Sequence, residues 1–149
     1  MTPKLLFRIV AFAEAVTWTL LISALISRAV GGPDFVTIAG GIHGFVFLSY
    51  AAVSLLVGID RRWKAGAVVG AVAAAIVPYA TIPVEIAVQR RGMLEGDWRR
   101  EDTGDDRTPL DALVRWFVRR PVVLAVVAVL AVIALFVTLL IIGPPGGRH

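Results

Sequence analysis

Residues 121 to 142 decide the fold class, because they read PVVLAVVAVLAVIALFVTLLII without one charged side chain. A helix rises about 1.5 Å per residue, so this stretch matches a hydrocarbon core roughly 30 Å thick. A helix that is apolar all round is typical of a membrane span rather than of a soluble core. The segment therefore predicts a transmembrane helix.

Three further apolar stretches precede it and predict an all-α, polytopic membrane protein with four spans. Pro78 and Pro83 lie inside the third stretch and predict a kink, because a proline leaves a helix carbonyl unpaired. The three stretches lie at about residues 5–27, 35–58 and 65–88.

The four spans divide the chain into three parts. We expect a three-span membrane core over residues 1–91, a polar connection over 92–120 and the fourth span over 121–142. Late in the connection, apolar residues recur at helical spacing on one side, which predicts a short amphipathic helix in the interface. These residues are Leu110, Leu113, Val114, Phe117 and Val118.

Composition agrees with a membrane protein and limits its chemistry. The 149 residues are 58% hydrophobic and 17% charged, against about 45–50% and about 25% in soluble domains. The net charge of +4 fits Lys and Arg anchoring at anionic headgroups, so we expect the lipid bilayer rather than nucleic acid as partner. The absence of cysteine excludes disulfides and thiolate chemistry.

Catalytic and cofactor motifs are missing from the sequence. It contains no HExxH, GxGxxG or P-loop pattern, and one non-terminal histidine offers no ligand set for a metal or haem. We therefore expect no enzymatic activity, no cofactor and no bound metal.

The orientation in the membrane follows from the number of spans. Four spans place both termini and the 59–64 loop on one side, with six basic residues against nine on the other. The positive-inside rule then favours a cytoplasmic connection with both termini outside, whereas the charges that flank the first span favour the reverse.

Ionisable residues inside apolar spans are the first candidates for function, because a charge in hydrocarbon is costly. Here they are Glu14, His43 and, nearer an interface, Glu85. Folding the spans back on one another places polar side chains of three spans at similar depth. The predicted intramembrane cluster consists of Glu14, Trp18, His43, Tyr50 and Tyr79.

This cluster has two interpretations. Glu14 and His43 could exchange protons in a relay or line a small-ligand pocket, or the cluster could hold the helices together by hydrogen bonds. The second is favoured, because one Glu and one His specify no reaction. Arg8 lies on another face of the first span, and we expect it to extend to the headgroups.

Two pairs of glycines have the GxxxG spacing that lets helix backbones approach closely. They are Gly40 with Gly44 and Gly66 with Gly70. Such faces can pack within one bundle or between copies of the chain. The spacing is therefore compatible with a monomeric bundle and with a homo-oligomer.

Four groups of residues together resemble a known family. In chain order they are Phe7-Arg8 followed by Glu14, Ile42-His43-Gly44 followed by Tyr50, Arg62-Trp63, and Pro78-Tyr79-Ala80-Thr81. Their order and spacing, over roughly residues 5 to 91, resemble the domain of unknown function 3817 family of small bacterial integral membrane proteins. The resemblance implies a three-helix core, to which the 89–120 connection and the last span are an extension, and it implies no assigned activity.

The sequence thus favours a non-enzymatic accessory or interaction subunit of the cell membrane, either as a homo-oligomer or with a membrane protein partner. The alternative is a small proton-linked transporter or channel that uses Glu14 and His43.

Overall fold

All regular secondary structure in the described residues is helical, as predicted. The computed structural model describes residues 2–99 and 109–142. Its helices are α1 (Pro3–Ala29), α2 (Val36–Asp60), α3 (Ala65–Ala74), α4 (Thr81–Arg90), α5 (Pro109–Val118) and α6 (Pro121–Ile142). Within these ranges three helical segments are long and apolar enough to cross a membrane, namely Pro3–Ala29, Val36–Asp60 and Pro121–Leu139. The protein is therefore a helical membrane protein.

α1 and α2 form an antiparallel pair whose ends are set by local hydrogen bonds. The Thr2 hydroxyl accepts a hydrogen bond from the Leu5 N–H at 3.2 Å, which caps the first turn of α1. At the far end Gly31 adopts a φ of +78°, a left-handed conformation that glycine enters without steric cost. The Asp34 carboxylate then accepts from the Val36 N–H at 3.1 Å and starts α2.

The prediction of one kinked span over residues 65–88 is wrong. Two separate helices occupy this stretch, α3 and α4, each of ten residues. Residues 75–80 between them form turns. A ten-residue helix is about 15 Å long, which is half of a hydrocarbon core. Neither helix can cross alone.

α4 returns to the end of the bundle from which α3 starts. Its first residue, Thr81, lies beside Ala11 near the middle of α1, and Glu85 lies beside Arg8 near the start of α1. Beyond α4, the Met93 carbonyl accepts from the Trp63 indole N–H at 2.9 Å. Residues 65–90 are therefore a re-entrant hairpin, and we call the end that holds Arg8, Asp60 and Met93 the basal end.

The prolines divide the hairpin instead of bending a span. Pro78 has no N–H with which to extend α3, and Tyr79 reverses the chain with a φ of +64°. Pro83 lies in the first turn of α4, where a missing N–H leaves no helical hydrogen bond unmade. The two residues that suggested a kink, Pro78 and Pro83, thus lie before and after a chain reversal.

α5 and α6 pack on the other face of α2. The helix α6 runs antiparallel to α2, because Leu124 shares a groove with Leu56 near the basal end and Phe136 packs on Phe45 near the other end, with ring centroids 6.2 Å apart. The start of α1 and the end of α6 therefore lie at opposite ends of the bundle. The expectation that both termini share one side is wrong for the described residues.

α5 occupies the stretch in which the sequence predicts an amphipathic helix. It buries Val114 and Val118 and leaves Leu113 and Trp116 exposed. The Leu110 side chain lies outside the described part of the structure.

The core lies between α1, α2 and the hairpin. Phe7 is fully buried, with its ring 5.7 Å from those of Tyr50 and Trp63. A Cβ on Gly58 would lie 2.6 Å from Val68 Cγ2, so the close approach of α2 and α3 needs a glycine there. The other buried members of this core are Ala11, Val57, Ala71, Ala75, Val88 and Leu94.

Candidate functional site

Glu14 lies fully buried where α1 meets the tip of the hairpin. The Thr81 hydroxyl lies 3.2 Å from Glu14 Oε2 and 3.1 Å from the Ala11 carbonyl oxygen. Glu14 Oε1 has no hydrogen-bond partner among the described residues. The one acidic residue in the middle of α1 therefore joins α1 to α4 and keeps one oxygen unpaired.

His43 is held by two side chains of α1. Its Nδ1 lies 3.1 Å from the Thr17 hydroxyl, which donates to the Glu14 main-chain carbonyl at 3.0 Å. The Trp18 ring packs on the imidazole with centroids 4.5 Å apart, and its indole N–H donates to the Ala75 carbonyl at 3.2 Å. The structure thus brings Trp18 and His43 together at the depth that the sequence predicted.

Glu14 and His43 are neighbours without direct contact between their side chains. Thr17 reaches the backbone of Glu14 rather than its carboxyl group. Trp18 packs on the His43 ring, and its indole N–H donates to the Ala75 carbonyl rather than to the Glu14 carboxyl. The arrangement therefore provides no hydrogen bond along which the carboxyl and the imidazole could exchange a proton directly.

Tyr50 and Ser54 add two buried hydroxyls one turn apart on α2. Both residues have zero exposure, and neither hydroxyl has a hydrogen-bond partner in residues 2–99 or 109–142. Tyr50 packs in the same buried core as Ala11, which lies one turn before Glu14 on α1. The predicted cluster included Tyr50 but not Ser54 or Thr81, because serine and threonine are common in membrane helices and carry no charge to mark them.

Tyr79 lies outside this buried group. Its side chain is 44% exposed, and its hydroxyl lies 3.2 Å from that of Thr19, which is also exposed. Of the five residues in the predicted cluster, Glu14 and Tyr50 are thus fully buried, Trp18 and His43 are half-buried, and Tyr79 lies at the surface.

Arg8 forms an ion pair, and the expectation that it extends to the headgroups is wrong. Its Nε donates to Glu85 Oε1 at 2.9 Å, and its Nη2 donates to Gln89 Oε1. The Glu85 side chain is 4% exposed, against 43% for Arg8. The sequence did not reveal this pair, because a crossing span would have placed Glu85 away from Arg8.

A second polar cluster closes the basal end. Asp60 is buried and accepts from the Arg61 Nε at 2.9 Å and from the Arg99 main-chain N–H at 3.1 Å. Arg61 also donates to the Glu95 and Asp97 carbonyls, at 2.5 and 2.6 Å. These bonds fix residues 95–99 over the end of α2, so the cluster is structural.

The two glycine pairs differ in their surroundings. A Cβ on Gly44 would lie 3.5 Å from Phe136, and one on Gly40 would lie 4.0 Å from Leu21, so this pair packs inside the bundle. Around Gly66 and Gly70 no atom lies within 4 Å of an added Cβ. This second pair opens to the outside of α3.

The part of the chain that the structure describes contains no group of three or more metal-binding side chains.

Comparison with known proteins gives one family. The model of a domain of unknown function (DUF3817) matches residues 5–90. The chain belongs to this family. The match ends at the last residue of α4, so the family region consists of α1, α2 and the re-entrant hairpin.

A curated relative is the "Putative membrane protein SCO5905" of Streptomyces coelicolor, 34% identical over 100 residues. The alignment covers 62% of this chain and 12% of the relative. No solved structure matches this chain.

Proposed function

We propose that this protein is a non-enzymatic interaction subunit of the cell membrane, which crosses the bilayer several times and packs against a second, larger membrane protein. The observation that carries the proposal is the tip of the re-entrant hairpin, residues 75–80. Its backbone is not helical. Ala75, at its start, contacts Trp18, and Thr81, which follows it, contacts Ala11, so the tip lies about halfway along α1.

Non-helical backbone is tolerated at this depth only where protein covers it or where it lines a water-filled cavity. In this chain the tip is uncovered, because Ile76 and Val77 are 67% and 55% exposed. Both are apolar, which favours a protein cover over a cavity.

The exposed surface continues from the tip along one side of α3. Its members within α3 are spaced three or four residues apart, which places them on one helical face, and the exposed residues of the tip adjoin that face. We call it the open face, and it consists of Gly66, Val69, Gly70, Ala73, Ile76 and Val77. Small residues on such a face allow a second helix to approach closely.

The relative in Streptomyces indicates what kind of partner to expect. There the matching segment is 12% of a much longer protein that is named a "Putative membrane protein". In that relative, a segment similar to this chain is therefore covalently joined to a much larger polypeptide. We infer that this chain meets a larger membrane protein through the open face.

Photocrosslinking in native membranes tests this proposal. A photoreactive residue at Ile76 or Val77 should give one adduct of defined mass with another membrane protein. The matched control is Val126 on α6, which is 52% exposed and lies off the open face. No adduct, equal adducts at Val126, or a product at twice the mass of the chain would contradict the proposal.

The re-entrant hairpin also changes the orientation that we propose. Eleven of the twelve Lys and Arg in residues 2–99 and 109–142 belong to the basal end, and Arg28 alone belongs to the other. Arg100, Arg107 and Arg148 lie outside the described residues. The positive-inside rule then favours a cytoplasmic basal end, with the start of α1 inside and the end of α6 outside.

The absence of native cysteine makes this orientation testable. In intact cells a membrane-impermeant thiol reagent should label Val30→Cys and leave Lys64→Cys unlabelled until the cells are opened. The opposite pattern would overturn the orientation.

A small proton-linked transporter or channel is the second candidate. It is supported by Glu14, a fully buried carboxyl with an unpaired oxygen halfway along α1, and by the neighbouring His43. Purified protein in liposomes should then move protons or a solute without any partner, and Glu14→Gln should abolish that movement. Such a flux would contradict the interaction subunit.

A further inference from the structure

Three polar atoms stay unpaired inside the family region. They are Glu14 Oε1, the Tyr50 hydroxyl and the Ser54 hydroxyl, each on a side chain with zero exposure. Buried polar groups in native proteins are nearly always paired, so an unpaired one indicates a bound water or ion. Tyr50 and Ser54 lie one turn apart on α2, and Tyr50 packs in the same core as Ala11, one turn before Glu14 on α1. Unpaired buried atoms on these two packed helices therefore point to a site.

The charge of Glu14 decides what the site holds. The side chain that contacts its carboxyl group is Thr81 of α4, which is not basic, and Glu14 forms no ion pair within residues 2–99 and 109–142. The nearest arginine in α1, Arg8, is engaged by Glu85 and Gln89. A carboxylate without a counter-charge in such surroundings takes up a proton.

The contacts of the Thr81 hydroxyl are also compatible with a protonated Glu14 carboxyl. It has a single proton and two oxygen neighbours, the Ala11 carbonyl at 3.1 Å and Glu14 Oε2 at 3.2 Å. A carbonyl can only accept. If Thr81 donates to Ala11, a proton on Oε2 can be donated in turn to the Thr81 oxygen, and every atom of this contact is then satisfied.

We propose that Glu14 is a proton-binding site inside the bundle, protonated on Oε2, and that a bound water molecule joins its Oε1 to the hydroxyls of Tyr50 and Ser54. The water donates to Oε1, which is the carbonyl oxygen of the neutral acid, and accepts a hydrogen bond from each of the two hydroxyls. Water is suited to this position because it commonly makes about three hydrogen bonds in buried sites.

Infrared spectroscopy of the full chain in lipid tests the proposal. At neutral pH the protein should show a carbonyl stretch of a protonated carboxylic acid, which shifts in D₂O and disappears in Glu14→Gln. The matched control is Glu85→Gln, which removes a buried carboxylate that has an arginine partner and should leave the band in place. The absence of the band, or its survival in Glu14→Gln, would overturn the protonation.

The water is tested by the frequency of the same band. Tyr50→Phe and Ser54→Ala remove one hydroxyl each, so each should weaken the hydrogen bond to Oε1 and raise the carbonyl frequency. His43→Ala is the control, because His43 contacts Thr17 and Trp18 rather than the carboxyl, and it should not move the band. An unchanged frequency in both hydroxyl variants would contradict the bound water.

Discussion

The family region and the last helix are both apolar, yet they are organised in different ways. Residues 5–90 bury Glu14, Ser54 and Thr81, and ion pairs and hydrogen bonds fix their helices against one another. α6 has no charged residue and leaves most of its apolar side chains exposed. Lipid alone can place α6 across a bilayer, whereas the arrangement of α1, α2 and the hairpin depends on specific contacts.

The largest expected effect contrasts two phenylalanines across this divide. Phe7→Ala should lower the free energy of unfolding by about 3 kcal/mol, because it empties a fully buried position between two rings. Phe136→Ala on α6 should cost less than about 1.5 kcal/mol, because that side chain is only partly buried. Detergent-induced unfolding in mixed micelles, followed by circular dichroism, measures both. Equal losses would remove the contrast between the two regions.

The ion pair between α1 and α4 should come next. Arg8→Ala should lower the free energy of unfolding by about 2 kcal/mol, because it leaves the buried Glu85 carboxylate without a counter-charge. Glu85→Ala should cost less, because the half-exposed Arg8 can then be hydrated. The same unfolding assay should show part of the loss recovered in the double variant with Glu85→Ala. Arg28→Ala at the opposite end is the control and should stay within about 0.5 kcal/mol. A double variant that loses the sum of both single effects would mean that the pair does not hold the hairpin.

Alanine substitutions at two glycines of α2 should have smaller effects on stability, and these effects should differ in sign. Gly58→Ala should destabilise by about 1 kcal/mol, because its Cβ would meet the stiff Val68 side chain at 2.6 Å. Gly41→Ala has open space and should be neutral or stabilising by up to about 1 kcal/mol through helix propensity. Thermal denaturation in detergent compares the two variants. A stabilising Gly58→Ala would show that α2 and α3 are not in tight contact.

The smallest effect concerns Glu14. Glu14→Gln should change the free energy of unfolding by no more than about 0.5 kcal/mol, because the amide can still donate to Thr81. Glu14→Leu should cost about 1 kcal/mol, because it leaves the Thr81 hydroxyl without this partner. Side-by-side unfolding curves of the two variants test this. A leucine variant as stable as the glutamine variant would show that the contact contributes nothing.

The sequence predicted the helical class, the approximate extent of α1, α2 and α6, and the burial of Glu14. These follow from composition alone, because long apolar runs need lipid or protein around them and an acidic residue within such a run stands out. Depth matching also brought Trp18 next to His43, since two antiparallel helices with a short turn keep a fixed register.

The same reasoning failed for residues 65–88, whose length and hydropathy equal those of a span. A proline in such a stretch is compatible with a kink or with a reversal. The polar residues of α4, Glu85 and Gln89, were the available signal, because they suit a helix that returns to the end where Arg8 lies. The pairing with Arg8 could not be predicted from a four-span topology.

By itself, the sequence determined that this chain belongs in a membrane, because the transfer of apolar side chains depends on composition and not on partners. The tertiary structure decided that α4 turns back, that Arg8 meets Glu85, and that Glu14 meets Thr81. These outcomes depend on contacts between residues far apart in the chain, such as Thr81 with Ala11 and Trp63 with Met93. Local patterns carry no information about such pairs, because each half of a contact is compatible with several partners until the helices pack.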